Sequence, residues 1–86
     1  MTQITPPIKT LHGSNPQSVL DSYCDAMASV RMAIDSIAKI DFHARDYDPA
    51  VFQTAKEERM KHLQSLQGVH DYLEGVAMGF SKLTNH

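Results

Sequence analysis

Apolar residues recur at steps of three and four in two stretches of this chain. The first stripe is Leu20, Tyr23, Met27, Val30, Ile34 and Ile37; the second is Leu66, Val69, Leu73, Val76, Phe80 and Leu83. That spacing returns every member to one side of an α-helix and predicts two amphipathic helices rather than strands. A further row, Val19, Ala26, Ala33 and Ile40, runs beside the first stripe and widens its apolar face beyond a two-stranded seam. Ser22, Ser29 and Ser36, with Asp21, Asp25, Asp35 and Lys39, occupy the opposite face, which reads as solvated.

Punctuation between the stripes sets the organisation. Residues 1–13 form an arm that Pro6 and Pro7 hold extended, with Ile4, Ile8 and Leu11 expected on a helix face of this subunit or of a neighbour. Residues 14–86 form a helical hairpin. Asn15 followed by Pro16 makes a cap and a first helical residue, so helix one is expected over about 16–44. A loop at 45–48 follows, in which Asp48 caps and Pro49 opens helix two, expected over about 49–83. A loop of about two to five residues forces neighbouring helices antiparallel.

Helix two is less regular. Continued backward from Leu66, its stripe meets His62, Arg59, Ala55 and Phe52, which places two polar residues at core-type positions with Met60 and Leu63 to one side. Gly68, Gly75 and Gly79 each cost about 1 kcal/mol relative to alanine inside a helix. Gly68 is a candidate bend, and the glycines have two readings: a flat strip for close approach of another helix, or tolerated surface glycine.

Composition narrows the class. With 86 residues there is room for one domain and a limited core. A net charge of −2 argues against nucleic-acid binding, and the one basic cluster, Lys56, Arg59, Lys61 and His62, is interrupted by Glu57 and Glu58. Cys24 is the sole cysteine, so no internal disulfide forms and a reducing, cytoplasmic setting is expected; the thiol itself reads as a small buried hydrophobe. No signal-peptide pattern, lipidation motif or membrane-length apolar run is found.

Candidate chemistry is sparse. The string Asp41-Phe42-His43-Ala44-Arg45-Asp46-Tyr47-Asp48 combines carboxylates with an imidazole, but it lacks the glycine and acid spacing of a calcium loop, and Arg45 would repel a cation. No Glu-x-x-His pair or His-Glu-x-x-His helix is present, so no metal site, cofactor or catalytic residue is assigned. His62 in the seam is a candidate for a pH-sensitive contact. Met32, Phe42, Met60 and Met78 fall off the stripes. Phe42, Arg45, Tyr47, Val51 and Phe52 gather at the loop end and, with Met60, form a candidate partner-binding patch of hot-spot residue types.

The expected fold is therefore all-α: a long antiparallel hairpin with an extended N-terminal arm, two copies pairing into a four-helix bundle or more forming a larger helical oligomer. The expected function is a non-enzymatic protein–protein interaction module, an adaptor, regulator or inhibitor of the kind that bacterial and phage proteins of this size often are. Its partners are itself and another protein, with no nucleic acid and no membrane. The alternative is an oligomer that holds a small anionic ligand such as a nucleotide between subunits, with Arg31, Arg45, Lys56, Arg59 and Lys61 supplying charge and Tyr23, Tyr47 or Tyr72 stacking.

Overall fold

The computed structural model describes residues 4–8, 13 and 15–84. The remainder of the arm, including Leu11, and the last two residues lie outside the described residues. Helix α1 spans Pro16–Ala38 and helix α2 spans Pro49–Thr84. A connection at 39–48 between them contains a single 3₁₀ turn at Ala44–Asp46. The helices lie antiparallel: Tyr23 near the start of α1 stacks on Phe80 near the end of α2, with ring centroids 6.0 Å apart. At the other end Arg59 reaches the last carbonyls of α1.

Both helix starts follow from their caps. The Asn15 side chain accepts the Gln17 backbone N–H at 2.9 Å, and Pro16 supplies a pre-set φ where no donor is needed. Asp48 accepts the Ala50 N–H at 2.9 Å in the same way, one residue before Pro49. Helix α2 then runs without a break through Gly68.

Helix α1 ends at Ala38, well short of the expected residue 44. Continuing the stripe shows why. One more turn would bring Asp41 into the seam and aim Phe42 at water. The chain instead tightens, with Lys39 N–H shared between the Asp35 and Ser36 carbonyls at 3.2 and 3.3 Å, and then extends through His43. Phe42 folds back on Phe52 and Tyr47, and Asp41 stays exposed. The connection is thus longer than the expected 45–48 loop.

The seam of α2 departs from its expected line at His62 and Val69. Leu66, Leu73, Phe80 and Leu83 of the expected stripe are half-buried and Val76 is buried, Arg59, Ala55 and Phe52 are half-buried on its backward continuation, and Leu63, His70 and Ala77 join the covered side. Val69 is 47% exposed, and His62 is exposed while His70 takes the seam.

Very little is enclosed. Among the described residues only Val76 and Ala77 are buried. The molecule measures 60 × 24 × 18 Å. Its radius of gyration is 18.2 Å, against about 12 Å for a compact domain of this length. Two helices alone cannot surround a core, because each covers only one stripe of the other.

Candidate interaction surface

The tip of the hairpin is built from aromatic side chains. Phe42 lies 5.3 Å from Tyr47 and 5.4 Å from Phe52 by ring centroid, and Tyr47 and Phe52 are 6.1 Å apart. These distances are those of favourable aromatic pairs. The Arg59 guanidinium sits over Phe42, 5.3 Å from the ring centre, and donates to the carbonyls of Ile37 at 3.2 Å and Ala38 at 3.4 Å. A cation placed on the unsatisfied carbonyls of a helix end meets the negative pole of the helix dipole. Arg59 thus closes α1 and roofs the aromatic cluster together, which accounts for a charged residue at a core-type position.

This arrangement divides the six patch residues. Phe42 and Phe52 are half-buried and turned largely toward each other, so they support the tip more than they present it, a correction to Phe42 as an exposed side chain. Tyr47, Val51 and Arg45 remain exposed. Met60 is 53% exposed on the opposite, polar flank of α2.

The arm and the glycines form a second surface. Residues 4–8 lie along the C-terminal half of α2. The Ile4 side chain fills the space over Gly75. Pro7 lies over Gly79, where a Cβ would fall 2.6 Å from its Cδ. Two glycines four residues apart leave a shallow groove on one helix face, and the chain's own arm occupies it instead of another helix. Val76, beside Gly75, is 7% exposed, whereas Val69 on the same row one repeat earlier is open. Gly68 has nothing within 4 Å of where a Cβ would stand. Ile8 points away at 78% exposure, so only part of the expected arm contact is made.

The residues weighed for an anionic ligand do not converge within the chain. Arg59 is committed to the α1 carbonyls, and Arg31 reaches across the seam to His70 Nε2 at 3.3 Å. His70 lies eleven residues beyond Arg59 on α2, about 16 Å along the axis. Lys56 and Lys61 are exposed on different faces of the helix. Tyr23 is engaged with Phe80. Among the described residues no three His, Cys, Asp or Glu side chains are grouped to hold a metal ion. Cys24 is exposed, contrary to its expected burial, because its position falls on the polar flank of α1. No described helix is long and apolar enough to cross a membrane.

Two features escaped the sequence reading: the Arg59 cap and the arm groove. Arg59 at a core-type position and the Gly75–Gly79 spacing were their signals, but neither names its occupant. Comparison of the chain with protein-family models, with curated proteins and with solved structures returns no match.

Proposed function

We propose that this protein is a non-enzymatic helical interaction module that works as a homo-oligomer and holds another protein, as an adaptor, regulator or inhibitor, in the cytoplasm of a bacterial or phage-infected cell. The observation that carries this reading is the mismatch between apolar content and burial. The chain is 42% hydrophobic, yet only two described residues are buried, and large side chains such as Met32, Ile40, Val69 and Met78 stand 47–69% exposed. Apolar surface of that extent on a soluble chain marks contact sites.

The partner contact is assigned to the tip, where Tyr47 and Val51 stand exposed on a rigid aromatic base with Arg45 at the rim. A pre-organised aromatic and arginine surface is the usual composition of a binding hot spot. The test is capture from a lysate of the source cell by the full chain and by a Tyr47→Ala/Val51→Ser variant. The wild type should retain a protein that the variant loses while far-UV circular dichroism is unchanged. Equal capture by both removes the tip assignment, and no capture by either removes the adaptor reading.

A further inference from the structure

The arm lies on its own α2 as a bound peptide would. Ile4 sits over Gly75 and Pro7 over Gly79, so residues 4–8 run parallel to the helix. At 3.6 residues per turn the two glycines lie roughly half a turn from Leu73 and Ala77, which puts the arm on the side of α2 away from α1. Ile4 and Pro7 are half-buried there, while Thr5, Pro6 and Ile8 are exposed. Among the described residues no backbone hydrogen bond joins the arm to the helix. The contact is two side chains in two notches, made by a segment whose paired prolines favour an extended form before it docks. Grooves that recognise proline-containing segments work by the same means.

We propose that the outer face of α2 from Gly68 to Gly79 is a binding site for an extended segment of another protein, one with an aliphatic residue followed three positions later by proline, and that residues 4–8 occlude it as a displaceable self-ligand. Glycines in a row do not identify a ligand. The seated arm does, because it shows the direction and the side chains that the notches accept. The site also extends past its present occupant. Gly68, Tyr72, Gly75 and Gly79 fall on one line of the helix, at i, i+4, i+7 and i+11. Toward the tip from Gly75, Tyr72 is 49% exposed, and no described atom lies within 4 Å of a Cβ at Gly68. An exposed aromatic ring beside an open notch seats a further proline. This face is separate from the tip, since Gly75 lies about 39 Å along α2 from Pro49.

The strap is weakly held. Two half-buried side chains favour the closed state roughly tenfold, while each glycine weakens the helix roughly fivefold against alanine. Groove and strap together add no net stability, so a stabilising role does not account for them. With the site open about a tenth of the time, an incoming segment binds roughly tenfold more weakly than it would bind an empty groove. The tethered arm competes at an effective concentration of about 1 mM, so its own sequence offered as a free peptide should bind an empty groove with a Kd of about 0.1 mM.

Amide NMR of the full chain tests this, with a synthetic peptide of residues 1–9 as the probe. The hosts are the wild type and Ile4→Ser/Pro7→Ser, whose arm no longer fills the notches. In the double variant the Tyr72, Gly75 and Gly79 amides should shift as peptide is added, and the wild type should need roughly tenfold more peptide for the same shifts. A peptide with serine in both places should shift neither host. Gly79→Leu added to the double variant should abolish the response, because it fills the second notch while favouring the helix. A peptide whose first three residues are proline should bind the double variant more tightly, with Tyr72 shifting most. No shift in the double variant at millimolar peptide, or binding that survives Gly79→Leu, overturns the site. Equal affinity of the two hosts overturns occlusion by the arm, and binding of the serine peptide overturns the stated chemistry. No gain from the added prolines overturns the extension over Tyr72. A wild type that is dimeric by light scattering beside a monomeric double variant shows arms exchanged between copies and overturns the foreign occupant. The tip assignment stands or falls apart from all of these.

Discussion

Three glycines in one helix give a graded test of whether the arm is seated on α2. An alanine in place of glycine inside a helix contributes about 1 kcal/mol from propensity alone. At Gly68 a Cβ would meet nothing within 4 Å, so Gly68→Ala should deliver that gain in full. At Gly79 the Cβ would lie 2.6 Å from Pro7 Cδ and 3.1 Å from Cγ, and a proline ring has no rotamer to retreat into, so the arm must lift. Lifting it exposes the half-buried Ile4 and Pro7, a loss of about 1–2 kcal/mol, part of which returns as the conformational freedom of the released residues. The propensity gain and the arm loss then nearly cancel, leaving Gly79→Ala within about 0.5 kcal/mol of wild type. Gly75→Ala should fall between them, because the atom it meets first is the Cδ1 at the flexible end of Ile4. Urea unfolding followed by circular dichroism, at one fixed protein concentration because association shifts apparent stability, should rank Gly68→Ala above Gly75→Ala above Gly79→Ala. In a chain lacking residues 1–8 the three should become equal, which isolates the coupling to the arm. If Gly79→Ala in the full chain stabilises as much as Gly68→Ala, the arm is not on the glycines and the argument fails.

Two further predictions concern polar residues in the seam. Arg59→Met keeps the aliphatic stem but removes the donor to Ile37 and Ala38 and the cation over Phe42, and should cost about 1–2 kcal/mol in urea unfolding. Arg59→Lys should recover only part of it, since an ammonium lacks the planar fork; an unchanged midpoint for Arg59→Met would remove the cap. His70 is different, for its Nε2 must accept from the Arg31 guanidinium, which has only donors, and its proton then sits on Nδ1, buried without a hydrogen-bond partner and 3.6 Å from the nearest Asp71 carboxylate oxygen. His70→Leu should therefore stabilise the hairpin by about 1 kcal/mol, and a loss of that size would show that the Arg31 contact outweighs the orphaned nitrogen.

Periodicity and capping chemistry determined most of the local structure. The three-and-four spacing from Leu20 to Ile37 fixes α1 as a helix and fixes which side of it faces inward, and Asn15-Pro16 and Asp48-Pro49 fix where both helices begin. Each of these signals acts within one or two turns of chain, so the sequence carries it whole. The end of α1, the line of the α2 seam and the seat of the arm were decided only by tertiary structure. Helix α1 stops at Ala38 because Phe42 gains more against Phe52 and Tyr47 than a further turn would provide, and because Arg59, twenty-one residues away, satisfies its final carbonyls. The α2 seam passes through His70 and not Val69 because both helices must keep contact over their full length, a condition on the pair that neither stripe states alone. The Gly75–Gly79 groove was visible as a spacing, but a gap in one helix does not specify what fills it. Whether a helix, a second chain or the arm lies there depends on which apolar segment reaches it at least cost in chain entropy, and the tethered arm is the nearest.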